Sequence, residues 1–321
     1  MRRPLTEQSA TELEPEPERL PLLPEPEPEP EPQPQPQPQP QHVRGVLFNY
    51  LRSAAQTDMA IDPVGSTVDT RDGRYEQKRC DVLDARPLRS ELRLDREGFS
   101  LHERPSALAA RAGGFSDPAL LEHVYTEECR GWAQQLSGAA DALVLGYTRR
   151  SDASGSGAAG ASPAREVHND FTAGFEETIA GIPGFPPGRH MILNLWRCLS
   201  GAHSATPLAF LDSSSWRAET EAVSVDLSIR GVAGTTQIME AVHSEAHRWY
   251  YFSATQPDEL VAFKTFDSAT DGRCRFTLHS AFDYPEGTAL HRSEVTPRES
   301  VEVRVLCIDC PTESAGASAK L

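Results

Sequence analysis

Basic charge is scarce in this chain. Thirty-one Lys and Arg face 47 Asp and Glu over 321 residues, a formal net charge of -16. Nucleic-acid binding usually needs a basic face, and an anionic membrane surface attracts basic segments; neither partner is expected. Long apolar runs are also missing. Nothing approaches the ~18 apolar residues of a membrane span, and the start, MRRPLTEQ, lacks the apolar stretch of a secretory signal. A cytoplasmic protein is the expectation. Cysteine is thin: Cys80, Cys129, Cys198, Cys274, Cys307 and Cys310 are scattered, where a secreted disulfide scaffold would be denser. Cys307 and Cys310 form a C-x-x-C, but structural zinc needs further soft ligands and no second pair exists. The pair reads as a strand end entering a tail. A G-x-G-x-x-G, a Walker A sequence and β-α-β alternation are all absent, which argues against nucleotide-binding α/β folds.

Proline, by contrast, is concentrated. Half of the 26 prolines lie in residues 1–42, alternating with Glu and then Gln. Each removes a backbone donor and fixes φ, so this tail is expected to be disordered, extended and solvated. The folded part is expected over 43–308, with a second disordered tail at 309–321. It opens with VRGVLFNYL. LRSELRLDREGFSLHERPS (88–106) reads as a hairpin turning at Gly98. Ser116-Asp117-Pro118 opens a helix that Gly138 stops, with Leu120, Leu121, Val124, Trp132 and Leu136 near one face. ADALVLGY (140–147) is a strand. SDASGSGAAGASPA (151–164) has no bulky side chain to offset its ordering entropy and reads as a mobile loop. TAGFEETIAG (172–181) is a short helix. From His190 the pattern is β: MILNLWRCL, TPLAFLD, EAVSVDLSI, HRWYYFSA, ELVAFKTFD, RCRFTLHSAF and ESVEVRVLCI, divided by Gly, Pro, Asp or Ser clusters. Many short strands predict a sandwich or barrel, so the fold class is mainly β with flanking helices.

Within REVHNDFT (165–172), His168 and Asp170 stand two apart. On a strand such residues point to one side, so an imidazole and a carboxylate converge. With a second histidine they make a facial triad that suits Fe(II) and leaves positions open. The candidates are His190, His203, His243, His247, His279 and His291. His279 is inside a strand pattern with Arg275 and Thr277 on its face, 111 residues after His168. His247, among bulky aromatics, is its rival.

PRESVEVRV (297–305) places Arg298, Ser300, Glu302 and Arg304 on one strand face. An R-x-S pair sets a guanidinium fork beside a hydroxyl, which suits a carboxylate. A triad followed by a carboxylate anchor is what a 2-oxoglutarate oxygenase requires. Arg304 is a second contact to the same acid or to substrate. Asn194 and Trp196 share one face of MILNLWRCL; Asn194 is expected to bond the keto acid or to orient a ligand, and Trp196 and Tyr250 to line a substrate pocket. Two other readings fit the same residues: a zinc-dependent β-barrel enzyme, and a non-enzymatic small-molecule binder with the Pro-rich tail as its arm for an unknown protein partner.

Taken together, ILNLWRCLSGAHSATPLAFLDSSS, HRWYYFSATQPDELVAFKTFDS, LHSAF, PRESVEVRV, FNYL, LDREGFSLHERPSA and REVHNDFT resemble a fungal and bacterial hydroxylase/desaturase family. That family includes a gibberellin desaturase and a cephamycin-pathway methoxylation protein. The resemblance covers about Val43 to Ile308. It implies a double-stranded β-helix (jelly roll), Fe(II) and 2-oxoglutarate, and oxidation of a small molecule by O2, often in secondary metabolism. By position it implies iron ligation by His168, Asp170 and His279, with Arg298 and Ser300 holding 2-oxoglutarate.

Overall fold

The strand-rich second half closes around two facing sheets. The structure, a computed structural model, describes residues 42–61, 73–111, 113–152, 161–202, 204–229, 234–288 and 295–312. Most of the two expected tails and the centre of the 151–164 loop therefore lie outside the described residues, as do His203 and His291.

The strands are β1 (His42–Leu51), β2 (Asp58–Ile61), β3 (Tyr75–Asp84), β4 (Phe99–Glu103), β5 (Asp141–Ser151), β6 (His168–Asn169) and β7 (Arg189–Cys198). They continue with β8 (Leu208–Leu211), β9 (Ala222–Ile229), β10 (Thr235–Ala241), β11 (Trp249–Tyr251), β12 (Glu259–Asp267), β13 (His279–Ala281) and β14 (Glu299–Cys310). A nine-stranded sheet has the order β1-β3-β11-β8-β13-β6-β10-β9-β2, and a five-stranded sheet β4-β12-β7-β14-β5.

Alternation within the central strands explains the layering. On β7, Ile192, Trp196 and Cys198 pack toward the nine-stranded sheet, against residues such as Phe48, Phe210 and Trp249. Leu193 and Leu195 point the other way, onto the helix Thr126–Ser137. A strand covered on both faces reads as an unbroken apolar run, and every residue of β7 is buried. Fully burying each large side chain contributes about 1.5–3 kcal/mol.

The helical region starts where the sequence predicts. Asp117 accepts from the amides of Ala119 and Leu120, and Pro118 takes the first helical position. A π turn, Leu121–Tyr125, precedes the helix. Gly138 ends it at φ 68°, in the left-handed region. The deepest row is Leu121, Tyr125, Cys129 and Ala133, spaced by four. Of the residues expected on the buried face, only Leu121 belongs to it; Leu120, Val124, Trp132 and Leu136 flank it, partly buried.

Three expectations change. Residues 88–106 are not a hairpin: turns lead into β4, whose partner is β12. Gly98, at φ +97°, passes so close to Thr277 that a Cβ there would clash with its Oγ1. Only His279–Ala281 of RCRFTLHSAF is strand; Cys274 donates its amide to Asp95 instead of joining a ladder. β3 and β10 carried too much charge and polarity to stand out, yet β10 flanks the site. The last strand runs to Cys310, so Cys307 and Cys310 are both buried in it as free thiols. Among the described residues, no helix is long and apolar enough to cross a membrane.

Candidate metal centre and anion pocket

β6 is only two residues long, but it is the hinge of the site. His168 pairs with Glu240 of β10 on one side and with His279 of β13 on the other. Directly opposed residues share a face, so one rung closes the 111-residue gap. The two imidazole centroids lie 4.4 Å apart. The same row continues through Phe210 to Tyr250.

Each imidazole is oriented by its own strand. His168 Nδ1 lies 2.9 Å from the carbonyl of Glu166, and His279 Nδ1 lies 3.1 Å from that of Thr277. A carbonyl only accepts, so both Nδ1 atoms carry a proton, and Nε2 is the atom each ring can offer to a ligand. Burial, then the neighbouring His168, pushes His279 down to about 3, so its imidazole is neutral.

Asp170 completes the group. His168, Asp170 and His279 each offer a ligand atom, and these atoms lie within 4.8 Å of one another. Burial alone would raise the Asp170 carboxyl. The Arg304 guanidinium, then the two imidazoles, outweighs it and holds the group far below the ordinary carboxylate range. Asp170 Oδ2 accepts from Arg304 Nε and Asn194 Nδ2, each at 2.7 Å. Two imidazole nitrogens and one carboxylate, all braced from behind, fit a divalent first-row metal with open positions.

The five-stranded sheet supplies the facing wall. Arg298 is 1% exposed, and its Nε donates to Ser300 Oγ at 3.0 Å. Its Nη1 donates to the Thr206 carbonyl at 3.2 Å, and the guanidinium lies 5.3 Å from the Trp196 ring. Asp152, the nearby acid, takes the backbone amide of Arg298 and the Thr206 hydroxyl, not the guanidinium. Burial, then Arg150, pushes Arg298 down to about 10, still a cation near neutrality. A small cavity is lined by Arg298, Arg150, Glu302, His168 and His279. A larger cavity, about 760 Å³, opens on the outer face of the five-stranded sheet, by His102 and Met191, and contains none of the triad.

The structure redistributes several expected roles. Asn194 bonds Asp170 through its amide nitrogen and the Thr265 hydroxyl through its oxygen, which fits the expectation that it orients a ligand. Arg304 is engaged by Asp170, by Glu302 at 2.9 Å and by the Thr148 hydroxyl at 3.0 Å. It braces the site by tying two acids and a hydroxyl together. Trp196 backs Arg298, and its Nε1 is buried without a partner. Tyr250 packs on Phe99, 5.8 Å between centroids. The rival His247 is held by the Tyr50 hydroxyl and by Glu221, away from the triad. Arg150 escaped the sequence reading; only its pairing opposite Ser300 brings it to the cavity.

A family model described as "Oxidoreductase/YMDC permease-like domain" matches residues 48–308. The chain belongs to this oxidoreductase family. Among relatives of the oxidoreductase is the hydroxylase/desaturase efuI of Hormonema carpetanum, 29% identical over 293 residues, spanning 80% of this chain and 92% of that one. The gibberellin cluster GA4 desaturase of Gibberella fujikuroi is 24% identical, spanning 72% and 86%. A solved structure of the iron and α-ketoglutarate-dependent endoperoxidase NvfI superposes with a TM-score of 0.70 at 22% identity, covering 85% of this chain and 99% of that one. The fold is therefore the jelly roll anticipated from the sequence.

Proposed function

We propose that this protein is an Fe(II)/2-oxoglutarate-dependent oxygenase that hydroxylates or desaturates a small organic metabolite, consuming O2 and releasing succinate and CO2. One observation carries the reading. Both imidazoles of the His-Asp-His group line one small cavity with a buried guanidinium that no carboxylate hydrogen-bonds, as a metal-chelating keto acid with a distal carboxylate demands. The curated names of the relatives support the same chemistry. A zinc-dependent hydrolase or a simple binding protein gives Arg298 no task.

In this reading His168 and His279 hold the metal through Nε2, and Asp170 through its free carboxylate oxygen. Arg304 and Asn194 fix Asp170 and keep it ionised. Arg298 and Ser300 hold the distal carboxylate, and Trp196 closes the wall behind them. Bound iron supplies O2 activation and, with decarboxylation of the co-substrate, the oxidising power to break an unactivated C–H bond. The protein's part is orientation and exclusion of water. The catalytic unit runs from Val43 to the end of the last strand at Cys310, and residues 1–42 are dispensable for turnover. The experiment is 2-oxoglutarate-dependent succinate release. It is expected in the parent and lost at least ~100-fold in His168→Ala, Asp170→Ala and His279→Ala. Undiminished release in His279→Ala would overturn the ligand assignment.

A further inference from the structure

We propose that Arg150 is a second guanidinium on the distal carboxylate of the co-substrate, making the pocket selective for a keto diacid over a keto monoacid. The inference rests on the function proposed above and adds a residue to it. In the register of β5 and β14, Arg150 lies directly opposite Ser300. Opposed residues share a face, so Arg150 stands on the same wall as the R-x-S pair. It lines the cavity that Arg298, Glu302, His168 and His279 also line.

The polar accounting around the two cations leaves room for an anion. Arg150 Nη1 donates to the Ser162 carbonyl at 2.7 Å. Arg298 uses Nε and Nη1 on a hydroxyl and a carbonyl. Among the described residues, no carboxylate lies within hydrogen-bonding distance of either guanidinium. Glu302 is engaged by Arg304, and Asp152 by a backbone amide and a hydroxyl. Arg150 and Arg298 face one buried space that Glu302 also lines; the repulsion between the two cations depresses Arg298 further after burial, and Asp152 and Glu302 offset it only in part. A carboxylate between them relieves it and accepts from both forks. Arg150 is also fixed from behind: the amide of Ser151 donates to the Ala161 carbonyl, and that of Ala161 to the Arg149 carbonyl. The residues returning from the Ser/Gly/Ala run thereby set its position.

The test is anaerobic calorimetry on the full-length, iron-loaded protein with two ligands of equal chain length. 2-Oxoglutarate carries the distal carboxylate, and 2-oxopentanoate lacks it. Arg150→Gln is expected to weaken 2-oxoglutarate about 10- to 100-fold, the scale of one charge-assisted bond. It should leave 2-oxopentanoate unchanged within about twofold, and Arg150→Lys should recover part of the loss. Equal weakening of both ligands would mark a structural role and overturn the proposal, as would no weakening of either. A parent protein that binds iron but not 2-oxoglutarate would instead overturn the proposed function itself, and this inference with it.

Discussion

Removing Arg304 is expected to be one of the most damaging single changes in the protein, because it ties two buried acids together. It links Asp170 at 2.7 Å, Glu302 at 2.9 Å and the Thr148 hydroxyl at 3.0 Å, all on the buried face between the sheets. Hydrogen bonds to charged groups contribute about 1.5–3 kcal/mol each. Breaking a buried pair by deleting one partner costs about 3–5 kcal/mol, because the other charge is stranded. The two acids respond differently. Burial already pushes the Glu302 carboxyl up, so it takes a proton readily once Arg304 is gone. Asp170 has Arg304 as its main stabilising charge, so most of the loss falls there. Arg304→Leu should therefore cost about 3–5 kcal/mol in metal-free protein, a large share of a typical ~5–15 kcal/mol. Urea unfolding at pH 7 measures it. The double variant Asp170→Asn/Arg304→Leu should be less destabilised than the two single losses added, with a coupling of at least about 2 kcal/mol. A cost below about 1 kcal/mol for Arg304→Leu, or no coupling, would refute the reasoning.

Further expectations follow from the same contacts. Asn194→Leu removes an orienting bond on Asp170 and should weaken Fe(II) binding about 10- to 100-fold; an unchanged affinity by metal titration would contradict that role. His279 has a folded pKa near 3, below its unfolded value of about 6.5. The unfolded chain therefore takes the proton first, so stability is full above about pH 6.5 and falls as pH drops toward 3, by up to about 1.4 kcal/mol per pH unit. Lowered Asp170 adds loss of the same sign at more acid pH. The urea midpoint of metal-free protein should decline between pH 6.5 and 4.5, less steeply in His279→Phe; equal slopes would refute the assignment. Burial pushes Cys307 to about 12 and Cys310 to about 11. At pH 8 they should react with a disulfide reagent roughly 1000-fold more slowly than free thiols, and all six cysteines should react after unfolding; fast native labelling of this pair would contradict their placement.

What the sequence reveals here is what one strand can encode alone. His168 and Asp170, and Arg298 and Ser300, are two residues apart at the ends of β6 and β14, so one short backbone segment brings each pair together without knowledge of any partner. The strand-rich second half and the Asp117-Pro118 helix start are legible for the same local reason. Roles set by register between strands are hidden. Arg304 faces Asn194 across β14 and β7, and Arg150 faces Ser300 across β5 and β14. Neither pairing can be read from composition, and a one-residue slip would turn each side chain away. The false hairpin at 88–106 failed likewise: β4 finds its partner on β12, more than 150 residues later.

The central claim is that one cavity holds iron and a chelating keto acid together. Anaerobic addition of Fe(II) and then 2-oxoglutarate to the full chain tests it most directly. The account predicts a weak visible charge-transfer band that saturates at one iron and one keto acid per chain and disappears in His168→Ala. Stoichiometric iron binding with no band at any 2-oxoglutarate concentration would contradict it.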